Sequence, residues 1–290
     1  MNVVVSGASG FLGTALVRAL RSAGHDVRIL VRGSDGWQPE RRHLDPALLA
    51  GADAVVNLSG AGIGDHRWTP EYRRLVRASR IDSTSTLAHG IAAATERPAV
   101  FLSGSAIGAY GDTGDDPVDE SAGYGAGFLP DLCREWEAAT APAAEAGVRT
   151  VHLRTGIVLS PAGGALRKVL PLFKLGLGGR LGSGRQWFSW IALPDLVAAV
   201  QFLLADSTLA GPVNLTAPLP VRNREYTAAL GRAVHRPAAL VVPAAALRIA
   251  LGGFADEGVL ASARVLPEAL EAAGFDFTHP DLDGALAAVL

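Results

Sequence analysis

Short runs of β-branched and aliphatic residues alternate with segments of helical period through the first half of the chain. Residues 3–5 read as a strand, followed by a glycine turn and a helix from about Phe11. In that helix Leu12, Leu16, Ala19 and Leu20 share one face at helical spacing, while Arg18 and Arg21 point elsewhere. Gly24 is placed to cap its C-terminus. Further strands are predicted at 27–31, 54–58, 99–103 and 151–154. Their near-continuous apolar character suits strands covered on both faces. Repeated strand–helix–strand units predict an α/β fold built on a doubly wound parallel sheet of the Rossmann type.

The pattern weakens after about Ser160. Residues 175–186, LGLGGRLGSGRQ, read as a glycine-rich loop with two arginines. Residues 187–191 read as a strand, 194–204 as a helix and 213–215 as a last sheet strand. From Pro218 the chain reads as mostly helical, broken at Pro237, Pro243 and Pro267. The expected division is a Rossmann domain over 1–160 and 185–215. A smaller, mainly helical lobe on the substrate side then takes 161–184 and 216–290.

Composition narrows the classes. With 49% hydrophobic and 19% charged residues in 290, the chain can bury a large core, which excludes disorder as its main state. Lys and Arg total 26 against 28 Asp and Glu, a formal charge of -2, so no global field attracts nucleic acid or an anionic membrane. Cys133 is the single cysteine; no intrachain disulfide can form, which fits a reducing compartment. The start, MNVVVSGASG, lacks the features of a signal peptide. The weakly polar stretch 237–255 is broken by Pro243 and Arg248, and reads as a buried or interfacial helix rather than a span. The expectation is a soluble cytoplasmic protein, monomer or homodimer, whose partner is a small-molecule substrate rather than nucleic acid or membrane. The seven histidines show no HExxH or HxxxH spacing, so no metal is expected. Trp68, Trp136, Trp187 and Trp190 read as core or pocket wall, because no basic groove accompanies them.

The sharpest chemical signal is GASGFLG at Gly7, Gly10 and Gly13, directly after a strand and opening a helix. Gly7 permits the tight turn, Gly10 lets the backbone approach a pyrophosphate, and Gly13 lets the helix sit close to the sheet. Free amides at the helix start then meet the phosphate charge. The second predicted strand ends Val31-Arg32-Gly33, with no carboxylate to grip the ribose hydroxyls of NAD. The Arg32 guanidinium can instead pair with a 2′-phosphate, so the expected cofactor is NADP(H).

The Gly-x-x-Gly-x-x-Gly spacing resembles the extended short-chain dehydrogenase/reductase superfamily. Further segments look like one branch of it: VVNLSGAGIGDHRW at 55–68, SRIDST at 79–84, SGSAIGAYGDTGD at 103–115 and FLPDLCREWE at 128–137. LRTGIVLSPAGGAL at 153–166, LGLGGRLGSGRQWFSWI at 175–191 and RVLPEALEAAGFDFTHPDLDGAL near the C-terminus complete the set. Together they resemble the atypical "epimerase family" proteins, which carry a small C-terminal domain of unknown function. The resemblance implies that Ser9, Gly10, Phe11 and Leu12 touch the pyrophosphate and Arg32 the adenosine phosphate. It further implies that Leu58, Ser59 and Gly60 line the dinucleotide, and that Thr155, Gly156 and Ile157 lie near the nicotinamide. Arg80 matches a family cofactor contact and reads equally as an exposed helix charge.

The usual superfamily machinery is a Ser or Thr, a Tyr, and a Lys four residues after the Tyr. Ser105 stands where the serine belongs, and also reads as a turn hydroxyl. No tyrosine has lysine four residues on; Leu129 and Cys133 take the two places. Tyr110 and Tyr124 lie in the right stretch to substitute, with Tyr110 the candidate, although a phenol with an ordinary pKa is a poor base at neutral pH. Cys133 reads chiefly as a buried, inert thiol. Ala192 stands where related proteins often carry His. The loop 174–185 either closes over the cofactor and brings Arg185 to an anionic substrate, or is a connector needing glycine for its backbone angles. Arg185 and Trp187 are the candidate substrate-side residues. These features support an NADP(H)-dependent oxidoreductase or epimerase acting on a small carbonyl, alcohol or sugar-like substrate. The alternative is a non-catalytic NADP(H)-responsive regulatory protein.

Overall fold

The computed structural model describes residues 1–205 and 208–290. Six strands form the central sheet: β1 (Asn2–Ser6), β2 (Asp26–Leu30), β3 (Ala54–Asn57), β4 (Val100–Ala106), β5 (Arg149–Thr155) and β6 (Gly211–Leu215). They lie in the order β6-β5-β4-β3-β1-β2, and every pairing is parallel. The chain leaves β1 toward β2 on one side and returns to β3 on the other. The crevice at the C-terminal ends of β1 and β3 is therefore the topological switch point, where ligands of such sheets bind.

Both faces of the sheet are covered, as the apolar runs require. Val3 and Val5 face one core with Leu16, Val17 and Leu20 of helix α1 (Phe11–Ser22). Leu196, Val200 and Leu203 join them. Val4, Val55 and Phe101 face the other side, against Leu87, Ala88 and Ile91 of α2 (Pro70–Ala93). α2 starts cleanly because Thr69 accepts from the Tyr72 amide at 3.2 Å and Pro70 needs no amide partner. Helix α3 (Phe128–Ala138) lies between β4 and β5 in the chain.

A second core gathers Leu166, Leu170 and Phe173 of α4 (Gly164–Lys174), then Phe188 and Trp190. Tyr226 and Leu230 of Asn223–Ala233, with Leu282 and Leu286 of the last helix, complete it. Phe188 stacks on Tyr226 with ring centroids 4.1 Å apart. Leu270, Phe275 and Phe277 belong instead to the core beneath α1, so the C-terminal segment returns to the sheet.

Three elements differ from the sequence expectation. The second strand ends at Leu30, and Val31 is exposed. The expected strand at 187–191 is two short ones. Trp187–Phe188 pairs antiparallel with Val221–Arg222, and Trp190–Ala192 pairs parallel with Ile157–Leu159. Ser189 breaks the run, because its hydroxyl donates to the Ala263 carbonyl at 2.7 Å and accepts from the Val265 amide at 3.0 Å. The stretch 237–255, expected as a buried or interfacial helix, holds a strand and a shorter helix that is not buried. Leu240–Val242 pairs with Gly179–Leu181, Pro243 caps the helix Ala244–Leu251, and no residue of that helix is buried. Among the described residues no helix is long and apolar enough to cross a membrane.

The glycine turn after β1 leaves no room for a side chain at Gly7 or Gly13. A Cβ on Gly13 would lie 2.2 Å from the Gly7 carbonyl oxygen, a backbone atom with nowhere to go. Gly13→Ala is expected to cost about 1–3 kcal/mol by overpacking, read as a lowered urea midpoint. Gly123→Ala, whose Cβ meets open space, is expected to stay within about 0.5 kcal/mol of the parent.

Candidate functional site

The site begins where β1 turns into α1. Gly7 sits at φ +79°, and a Cβ there would lie 2.5 Å from the Leu58 carbonyl carbon. Only glycine fits both demands. The Gly10 amide closes the turn on the Gly7 carbonyl at 3.0 Å, and the first helical bond runs from Thr14 to Gly10 at 2.9 Å. No side chain caps this end and no acidic residue stands in the first turn. The amides of Phe11, Leu12 and Gly13 are therefore donors awaiting an acceptor. A Cβ on Gly10 would meet only the Gly7 oxygen, at 3.2 Å, so the space in front of the turn is open. Ser9 and Gly10 are exposed. The Phe11 ring packs directly on Gly163, tying the start of α4 to the turn.

The neighbouring wall is the chain leaving β3. Asn57 donates to Thr84 at 2.9 Å and accepts from the Ser59 amide at 3.1 Å. The hydroxyls of Ser6 and Ser59 are hydrogen-bonded, which locks Leu58, Ser59 and Gly60 against the end of β1. Arg80 underlies this wall. It donates to the carbonyls of Ala61 and Val76, both at 3.0 Å, and stacks 5.0 Å from the Trp136 ring. Burial lowers its pKa from the ordinary arginine value, while Cys133 and Tyr72 oppose that shift. Gly60 has no side chain because one would meet this guanidinium at 3.1 Å. Arg32, beyond β2, is exposed and makes no hydrogen bond among the described residues. At the far end Gly156 donates to the Leu215 carbonyl and Ile157 to the Ser189 carbonyl, at 3.0 and 2.9 Å.

Under α3 lies a buried polar network that the sequence reading did not assemble. Glu137, 4% exposed, accepts from Ser105 at 2.6 Å, from Tyr124 at 2.6 Å and from Arg154 at 2.9 and 3.0 Å. His152 Nδ1 lies 3.5 Å from the same carboxylate, and its Nε2 is 2.9 Å from Thr140. The Arg154 guanidinium stacks on both Tyr110 and Tyr124, 5.0 and 5.1 Å from their ring centroids. Tyr110 is buried and donates to Asn214 at 2.7 Å.

Burial alone would raise the Glu137 carboxyl, but bonds from Arg154, Ser105 and Tyr124 outweigh it and hold it below the ordinary value. Burial and the adjacent carboxylate push Tyr124 up to about 12. Burial also raises Tyr110, against the pull of Arg154. Cys133, buried beside Ala106, is pushed up to about 12 by burial and by Glu137. Both phenols and the thiol are thus neutral at pH 7. The signal for this network was an arginine inside the apolar strand VHLRT and a glutamate one helical turn beyond Cys133.

The candidates Arg185 and Trp187 lie beyond Ser189. Trp187 is stacked by Arg222 and Arg264, at 3.9 and 4.9 Å, while Arg185 is exposed. Glu257 reaches from the C-terminal segment to the start of α3, accepting from the Leu129 amide at 2.9 Å. Among the described residues, no group of three or more His, Cys, Asp or Glu is arranged to hold a metal ion.

The chain is similar to known proteins over nearly its whole length. The profile of the NAD dependent epimerase/dehydratase family matches residues 3–215, and that of a domain of unknown function (DUF1731) matches 242–289. An epimerase family protein of Mycobacterium bovis is 50% identical, over 98% of this chain and 96% of that protein. A chloroplastic epimerase family protein of Arabidopsis thaliana, a homolog of SDR39U1, is 38% identical, over 100% of this chain and 87% of that protein. The crystal structure of human epimerase family protein SDR39U1 with NADPH is similar at a TM-score of 0.90 and 30% identity, covering 100% of this chain and 99% of that one.

The buried carboxylate makes the fold sensitive to acid. A Glu137 carboxyl lowered from 4.5 stabilises the protein above that pH, and the contribution is lost as pH falls through the folded value. Burial lowers His152 from 6.5, against the pull of Glu137, so stability also declines as pH drops below that value. Glu137→Gln is expected to cost about 3–5 kcal/mol at pH 7 by stranding Arg154. Urea titrations from neutral to acid pH are expected to show the lower acid step reduced, since Asp115 and Asp119 are also lowered, and the His152 step retained.

Proposed function

The chain belongs to the NAD dependent epimerase/dehydratase family, and on that premise we propose that it is an NADP(H)-binding oxidoreductase or epimerase. Hydride transfer to or from a small carbonyl, alcohol or sugar-like substrate is the reaction. The observation that carries this reading is the uncapped start of α1, with three amides lacking acceptors among the described residues and open space before Gly10. A pyrophosphate fits those donors and the helix dipole. Ser9 lies beside them, and Leu58, Ser59 and Gly60 form the second wall. Arg80 acts from beneath by fixing that wall. Arg32, without a hydrogen bond among the described residues, supplies the charge for a 2′-phosphate. Gly156 and Ile157 border the nicotinamide end.

When bound, NADPH supplies a hydride from its nicotinamide ring. The chain's own groups then manage the substrate oxygen. Ser105 donates its proton to Glu137 in the free protein and turns it to the substrate carbonyl oxygen on binding. Tyr110 and the more accessible Tyr124 stay protonated at pH 7. A neutral phenol suits proton donation to an alkoxide as it develops, so this arrangement favours carbonyl reduction over alcohol oxidation.

A second reading, a non-catalytic NADP(H)-responsive regulatory protein, is favoured by one observation. The hydroxyls of Ser105, Tyr110 and Tyr124 all donate to internal acceptors.

Two measurements test these readings, the first their shared cofactor site and the second the choice between them. In calorimetric titrations Arg32→Ala is expected to weaken NADP+ about tenfold and to leave NAD+ unchanged; equal losses for both would remove the 2′-phosphate assignment. Against a panel of small carbonyls, NADPH oxidation is expected and is lost in Ser105→Ala. Tight binding with no turnover across the panel would favour the regulatory reading. Failure of both nucleotides to bind the folded protein would overturn both.

A further inference from the structure

The crevice in front of the glycine turn has two sides. On one, the chain leaving β3 is fixed through Gly60 by the bonds of Ser59 and Asn57. On the other, α4 begins against the Phe11 ring, so closely that a side chain at Gly163 would collide with it. The free amides of α1 lie between them. A contact from α4 to the chain just beyond Gly60 therefore crosses the way in.

Lys168, one turn into α4, makes that contact. It donates to the Gly64 carbonyl at 2.5 Å and to the Asp65 carboxylate at 3.2 Å. The receiving segment is braced. The Ala61 amide donates to Ser79 at 3.0 Å, Tyr72 donates to the Gly62 carbonyl, and Trp68 donates to the Ile63 carbonyl at 2.9 Å. A side chain at Gly62 would collide with the Asp65 carboxylate, and one at Gly64 would meet the Phe254 ring at 2.9 Å. Trp68 is buried, its amide donates to the Leu251 carbonyl at 3.2 Å, and its ring lies against Phe128 and Phe254. Residues 61–68 thus form a fixed post. α4 is fixed as well, by Leu166, Leu170 and Phe173 in the second core. What is free to move between them is the Lys168 side chain.

The energetics suit a moving part. The Lys168 and Asp65 side chains are 56% and 59% exposed, and an ion pair so open to water adds little to stability. It breaks readily. Lysine also fits the task, because its ammonium is a point charge on a flexible four-carbon stem, where arginine would hold both acceptors with a planar fork. The choice is unusual in this chain, where lysine supplies only Lys168 and Lys174 of the 26 Lys and Arg residues.

We propose that the Lys168 side chain is a bar across the entrance to the dinucleotide crevice, seated on Gly64 and Asp65, which swings aside to admit the cofactor and returns once it is in. This rests on the reading of the chain as an NADP(H)-binding protein and adds control of cofactor exchange to that site. Seated over the empty and the occupied crevice alike, the bar slows entry and exit by the same factor and leaves affinity unchanged. A direct cofactor ligand would instead change affinity, mainly through exit.

The test is stopped-flow mixing of the full-length protein with NADPH, followed by nucleotide fluorescence, which gives the entry rate. Displacement of bound NADPH by excess NADP+ gives the exit rate. Lys168→Ala is expected to raise both rates about two- to fivefold, with Kd held within about twofold. Asp65→Ala is expected to move both rates the same way. Lys168→Arg keeps the pairing and is expected to leave both at or below the parent's values. Unchanged rates in Lys168→Ala would overturn the proposal. So would faster exit alone with weaker binding, which would make Lys168 an ordinary cofactor contact. Failure of NADPH to bind the folded parent would strike the functional reading and the bar with it, whereas binding with unaltered rates in the variants strikes the bar alone.

Discussion

Helix α1 starts with three amides that no group among the described residues satisfies, and the surrounding structure preserves that condition. Gly7 and Gly13 bring the turn, the end of β3 and the helix so close together that a single methyl group at either position would collide with backbone. Gly10 then leaves the approach open. Ser6 and Ser59 bind to each other, Asn57 orders the amide of Ser59, and Arg80 braces the wall from below. Much local geometry serves to hold an uncompensated partial positive charge at the switch point of a parallel sheet, and an anionic ligand is what such a charge selects.

The second feature is a buried carboxylate. Glu137 gathers a hydroxyl from β4, a phenol from the loop before α3 and a guanidinium from β5. This places the polar groups nearest the expected reaction centre around one carboxylate, which with burial keeps Tyr124 protonated, while burial keeps Tyr110 so. The substitution of Leu129 and Cys133 for the usual Tyr and Lys is consistent with that arrangement, since a neutral thiol beside Glu137 adds no charge to the network.

Much of this was legible in the sequence. Apolar runs and helical spacing predicted the parallel sheet, because strands buried on both faces leave a strong local signature. GASGFLG predicted the turn because each glycine answers a separate steric demand. Legibility failed where contacts are long-range. Nothing near Ser105 announces Glu137, and nothing near Trp187 announces Arg264; both pairings depend on how segments far apart in the chain meet. The single strand expected at 187–191 failed for a related reason, because the Ser189 hydroxyl bonds to a segment some 75 residues away. The apolar run after Pro237 misled because its residues cover a surface rather than fill a core.

The central claim is that the first amides of α1 receive a nucleotide pyrophosphate. Amide hydrogen exchange at Phe11, Leu12 and Gly13, followed with and without NADP+, tests it most directly. Exchange at these three positions is predicted to slow on adding the nucleotide, whereas unchanged exchange there in nucleotide-saturated protein would contradict the account.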